Sequence, residues 1–204
     1  MKTLKTFISA ILAGASIAIG GTVYLSLENK IVGAFLFAVG LFVVCYMSFN
    51  LFTGKVCYLF DNKPKYIIDL IIIWLGNLVG TAFVAFTIRA TRVAPVLIEK
   101  AQALAKIKVD DSFLSLLVLG FFCNIMIYIA VEGYKTITHG IGKYLAIVFG
   151  VMVFILCGFE HCVADMFYFA LAGEISGGAL VSLLIITLGN AIGGVFIPLL
   201  RKVI

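Results

Sequence analysis

Charge, proline and tryptophan are all scarce in this chain. Only 12% of its 204 residues are charged, 63% are hydrophobic, and mean hydropathy is +1.20. Water-soluble domains run at about 25% charged and about 45–50% apolar, so a soluble globular domain is excluded. With three Pro and one Trp beside 18 Phe, the chain consists of aliphatic and aromatic runs, and no stretch has the composition of a linker or low-complexity tail. The five cysteines (Cys45, Cys57, Cys123, Cys157, Cys162) are odd in number, lie inside apolar runs and include no C-x-x-C, which argues against a disulfide scaffold. H-E-x-x-H is missing as well, and His139 is the only histidine besides His161.

What the chain does have is apolar runs long enough to cross a bilayer, which takes about 20 residues in a helix. Six are read: Phe7–Leu27, Ile31–Leu59, Tyr66–Arg89, Phe113–Val131, Lys143–Gly173 and Gly177–Leu200, the second and fifth long and interrupted. Lys2 and Lys5 precede the first run as in a signal peptide, but its length makes it a span. Little chain flanks the first and last spans, so an N-terminal gating helix is expected to be absent or abbreviated. Between the third and fourth runs, Val93, Val96, Leu97, Ala101, Leu104 and Ile107 recur at helical spacing opposite Glu99, Lys100, Lys106 and Lys108, the pattern of an amphipathic interfacial helix. Basic residues in the loops favour a cytoplasmic location for both termini, with eight on that side against six on the other. The net charge of +5 therefore reports membrane topology rather than nucleic-acid binding.

The fifth run carries Gly158-Phe159-Glu160-His161-Cys162-Val163-Ala164-Asp165, three ionisable groups at mid-membrane depth. Charge there costs several kcal/mol unless it faces a partner or a water-filled path, so the cluster marks a transport route. The chain also repeats itself. Gly76-Asn77-Leu78-Val79-Gly80 returns as Gly189-Asn190-Ala191-Ile192-Gly193, 113 positions on, and Leu51–Lys55 has a counterpart in Gly158–His161, with Lys55 and Asp165 110 apart. A duplicated three-span unit is implied, about 1–92 and 112–204, joined by the segment about 93–111 within a single transmembrane domain. Three spans are odd, so the copies insert with opposite topology, and inverted repeats place their site at the midplane on paired broken helices. Gly54 and Gly158 permit the breaks.

L-F-T-G at 51–54, G-F-E-H-C-V-A-D-M at 158–166, Asn124 in G-F-F-C-N and G-N-A-I-G-G at 189–194 together resemble the formate/nitrite transporter family, in the same order and over essentially the whole chain. The resemblance implies an all-α, aquaporin-like protomer in a homopentamer, with one pore per protomer for a small monovalent anion such as formate, nitrite or hydrosulfide. It assigns Leu51, Phe52 and Thr53 to the loop that breaks span two and His161 to the loop that breaks span five. It also assigns Leu41, Phe37 and Phe154 to apolar constrictions, and Lys108, Asn124, Glu160 and Asn190 to a polar set beside the outer vestibule and behind the histidine. No cofactor or metal is implied. N-P-A is absent at both loops, which disfavours water or glycerol conduction.

An anion is heavily penalised in an apolar ring, whereas a weak acid can pass as its neutral form. Lys108 and Lys55 are expected to concentrate the anion at the mouths, His161 to hydrogen-bond it or relay a proton opposite Thr53, and Glu160 to support the histidine. The chain departs from the family at Asn50 (usually Glu), Lys55 (commonly Asn), Cys162 (Ser) and Asp165 (Asn). One base and one acid gained at corresponding positions predict a Lys55–Asp165 ion pair. Rival readings are an intramembrane metalloenzyme using Glu160, His161 and Cys162, and a non-conducting membrane scaffold. Apart from the resemblance, the three Phe read as lipid-facing or packing aromatics and Lys108 as the solvated face of an amphipathic helix, while for Thr53 a bond back to its own helix is the lesser alternative.

Overall fold

The computed structural model describes residues 2–204, and the elements formed by them are helical. Four helices are long and apolar enough to cross a membrane: α1 (Lys2–Ser26), α4 (Tyr66–Arg89), α6 (Phe113–Thr136) and α9 (Gly177–Arg201). The others are shorter: α2 (Lys30–Tyr46), α3 (Phe52–Val56), α5 (Ala94–Asp110), α7 (Gly140–Leu156) and α8 (Cys162–Ala172). The apolar run 31–59 thus holds α2, a non-helical turn and α3, and the run 143–173 holds most of α7, a second turn and α8. α6 extends to Thr136, and α7 already begins at Gly140, ahead of the expected Lys143.

Local chemistry sets the helix ends. Asn29, Ser112 and Ser176 cap α2, α6 and α9 by accepting backbone N–H bonds, Pro95 occupies the first turn of α5, and Gly173 closes α8 in the left-handed conformation at φ 76°. Packing follows a pattern that occurs twice. α1 lies against α4 and α2, α6 lies against α9 and α7, and α2 meets α7. At the α1–α4 crossing a Cβ on Gly80 would collide with the Ile11 carbonyl, and at the α6–α9 crossing one on Gly193 would collide with the Phe121 carbonyl. Without side chains between them the backbones touch, which is how helices associate where burial from water offers no drive.

The α5 helix differs from its expected amphipathic face. Leu97, Ala101, Ala105 and Lys108 form its buried stripe and pack toward α8, whereas Val93, Val96 and Ile107 are exposed. A lysine at a buried position has a protein partner, and that partner proves to be the acidic cluster.

Candidate functional site

The turns before α3 and α8 are built alike. After α2, Ser48 adopts φ 56° and Phe49 N–H donates back to Val44 O; after α7, Gly158 adopts φ 68° and Phe159 N–H donates back to Phe154 O. Each pair is separated by 110 positions, the spacing seen in the sequence. The chain then passes a buried asparagine. Asn77 on α4 accepts from Phe52 N–H at 2.8 Å and donates to Ala10 O and Asn50 O at 2.8 and 3.0 Å. Asn190 on α9 accepts from Cys162 N–H at 2.9 Å and donates to Gly120 O and Glu160 O, both at 2.8 Å. Each amide supplies the first N–H of a short helix with an acceptor and two carbonyls with a donor, so polar backbone that a helix would satisfy internally is satisfied from outside.

Thr53 in the first turn of α3 and His161 at the N-cap of α8 are fully buried and meet, with Thr53 Oγ1 3.0 Å from His161 Nε2. The histidine cap settles the direction of this bond. His161 Nδ1 accepts from Ala164 N–H at 3.1 Å, and a backbone N–H can only donate, so the neutral ring carries its proton on Nε2. Nε2 therefore donates to the threonine oxygen. The Thr53 hydroxyl makes no bond to its own helix among the described residues, so its proton is available to another acceptor. Asn124 on α6 donates to Thr53 O at 3.1 Å and Asn190 O at 2.7 Å, tying α3 to α9.

Aromatic rings close one side of the pair. Phe154 stacks on the imidazole with centroids 5.6 Å apart and planes 20° apart, and Phe37 meets Phe154 edge-on at 6.0 Å. Phe37, Leu41, Leu51 and Phe154 are all essentially buried. Two cavities lie near the pair, one reaching His161 and the other reaching Leu51 and Gly54 beside Thr53. One, about 210 Å³, is lined by residues including Phe37, Phe154, His161, Lys108, Glu160 and Asp165. The other, about 330 Å³, is lined by residues including Ser48, Leu51, Gly54, Lys55, Tyr134 and Lys135.

The charges differ from expectation. Lys108 is paired with the Glu160 carboxylate and lies 3.0 Å from Asp165 Oδ1, all three being buried. The expected Lys55–Asp165 pair does not form: Asp165 and Lys55 face different cavities, and Lys55 has no ion-pair partner among the described residues. Corresponding positions in two segments that meet at Thr53 and His161 lead away from the meeting point, so equal sequence offsets carry the two charges apart. Lys108 is likewise no free attractor of anions, since one ammonium faces two carboxylates. Glu160, His161 and Cys162 do not assemble as metal ligands either. Glu160 is held by Lys108 and His161 by Thr53 and Ala164, and no group of three or more His, Cys, Asp or Glu among the described residues is placed to hold a metal. Asn77, absent from the expected polar set, does the same work as Asn190, and the signal was its place in the repeated G-N-x-x-G.

A family model for the formate/nitrite transporter matches residues 1–203. The chain belongs to the formate/nitrite transporter family. Members of this family are transporters and channels rather than enzymes, and the chain is a multi-pass membrane protein. It is 34% identical over 189 residues to the uncharacterized transporter YrhG of Bacillus subtilis, covering 84% of this chain and 70% of that one. Against the nitrite transporter NirC of Salmonella typhimurium it is 31% identical over 217 residues, covering 94% and 80%. Among solved structures it matches a pentameric formate channel with formate bound at TM-score 0.86 and 25% identity, covering 99% of this chain and 97% of that one.

Proposed function

We propose that the protein conducts a small monovalent weak-acid anion, of the size of formate, nitrite or hydrosulfide, along a path that passes Thr53 and His161. In this reading the chain is one domain of six crossings, with inverted repeats at about 1–92 and 112–204 joined by about 93–111. Spans two and five break at the turns before α3 and α8, both termini are cytoplasmic, and five protomers assemble with one pore each. The twofold recurrence of turns, asparagine caps and helix pairs supports the repeat, and the pentameric formate channel it resembles supports the assembly.

The observation that carries the function is the buried Thr53–His161 hydrogen bond, with Phe154 stacked on the imidazole and a cavity lined by His161 beside it. Phe37, Leu41, Leu51 and Phe154 form the apolar constrictions, where a bare anion loses several kcal/mol of hydration. Two donors answer that loss: the Thr53 hydroxyl proton, and the Nε2 proton when the anion takes the place of the threonine oxygen. An anion held there accepts hydrogen bonds and, as a weak acid, crosses the apolar rings with a proton. Lys108, Glu160, Asn124 and Asn190 act behind the site by fixing the backbone of α3 and α8.

Flux of formate, nitrite, hydrosulfide, acetate and chloride into proteoliposomes at two pH values tests this. Replacement His161→Phe is expected to lower formate flux at least about tenfold, the scale of one lost hydrogen bond of about 1.5 kcal/mol, and to alter its pH dependence. Unchanged flux with unchanged pH dependence would remove His161 from the path.

A further inference from the structure

The two cavities beside the Thr53–His161 pair carry opposite formal balances. On the His161 side one ammonium, Lys108, faces Glu160 and Asp165. On the Leu51 side Lys55 and Lys135 line the cavity, and its lining contains no Asp or Glu. Neither lysine has an ion-pair partner among the described residues.

The two lysines differ in setting, Lys55 half-buried and Lys135 exposed. Lys135, in the last turn of α6, sits with Nζ 3.9 Å from the ring centre of Tyr58, and that ring is fixed by its hydroxyl donating to Glu132 Oε2 at 2.8 Å. Lys55 lies in α3, two residues after Thr53, and its carbonyl accepts from Tyr66 Oη at 3.2 Å. Glu132, the nearest carboxylate on α6, is engaged by Tyr58 and Arg201. Two lysines from different helices, with no carboxylate in the lining of a cavity of about 330 Å³, suit a small oxyanion or carboxylate.

We propose that Lys55 and Lys135 form an anion-binding site on the Leu51 side of the constriction, which loads that mouth with substrate, whereas the lysine lining the opposite cavity is held by two carboxylates. The site rests on the reading of the protein as an anion conductor. Conduction is then asymmetric at low anion concentration, with higher apparent affinity for anion offered from the Lys55 side.

Oriented proteoliposomes presenting either face to external formate, with formate titration of the detergent-solubilised protein by calorimetry, separate the two readings. Lys55→Asn and Lys135→Gln are each expected to weaken apparent affinity from the Lys55 side about threefold, and the pair roughly tenfold, the effect of one unit charge at about 7 Å in water. Maximal flux and affinity from the other side should be kept, and Lys55→Arg should behave as the parent. Raising ionic strength with an impermeant salt should weaken the parent's affinity only from the Lys55 side, a result that needs no variant to fold. If the parent conducts but the lysine variants and the salt titration leave both sides alike, the site is refuted and conduction stands. If the parent neither conducts nor binds formate, both are refuted.

Discussion

Replacing Lys108 with methionine isolates the largest electrostatic commitment in the fold. Lys108 is buried against Glu160 and Asp165, and methionine keeps most of its volume while deleting its charge. Two carboxylates are then left in a site with no other cation among the described residues within ion-pair distance. Breaking a buried pair from one side costs about 3–5 kcal/mol because the remaining charge is stranded; with two acids stranded, the upper end, about 5 kcal/mol, is expected. Much of this should return when the acids are neutralised too. The triple variant Lys108→Met, Glu160→Gln, Asp165→Asn should recover to within about 2 kcal/mol of the parent, since uncharged replacement of a whole buried ionic group is often near neutral. Lys108→Met with Asp165→Asn should fall between. The assay is unfolding in mixed micelles, read from the intrinsic fluorescence of Trp74, the only tryptophan. Stability of Lys108→Met equal to the parent's, or a triple variant no better than the single, would refute the argument that stranded charge sets the cost.

Further outcomes follow from the backbone. Asn77→Ala and Asn190→Ala each leave a helix-start N–H and two carbonyls without their amide partner and should cost about 3–4 kcal/mol in the same assay, at about 1 kcal/mol or more per lost bond. Gly193→Ala, which drives a methyl into the Phe121 carbonyl, should lower the melting temperature and the yield of assembled protein, and Gly80→Ala should do likewise; a tolerated alanine at either would contradict the close crossing. Ser48→Gly should stabilise by about 1 kcal/mol, because a non-glycine residue held at φ 56° carries strain that glycine lacks, whereas Gly158→Ala should destabilise by a similar amount. Thr53→Val, near isosteric but without the hydroxyl, should reduce formate flux at least about tenfold while leaving the melting temperature within a few degrees.

The 110-residue offset is visible in the sequence at Lys55 and Asp165, because charges in apolar runs stand out wherever the surroundings are lipid-like. It recurs in the structure at the turns of Ser48 and Gly158. What the offset means for charge was not legible. Lys55 and Asp165 correspond, but correspondence is not proximity, and only three-dimensional packing says that α5 delivers Lys108 to Asp165 instead. The ion pair joins residues 52 and 57 positions apart across separate helices, and nothing in the amphipathic pattern of 93–108 distinguishes a buried lysine from a solvated one. Asn77 was legible in principle, since its motif duplicates that of Asn190. Its role depends on which carbonyls α1 and the turn before α3 bring to it, and sequence pattern does not encode those.

The two asparagines carry a consequence for how this protein can change. The turns entering α3 and α8 are seated by amides on α4 and α9, 25 and 28 positions further along the chain, beside the His161 cap and the Asn124 tie. Each behaves as a cartridge seated in a socket. An engineer seeking a new substrate would therefore vary Thr53 and Lys55 and leave alone both sockets and the buried Lys108–Glu160–Asp165 group.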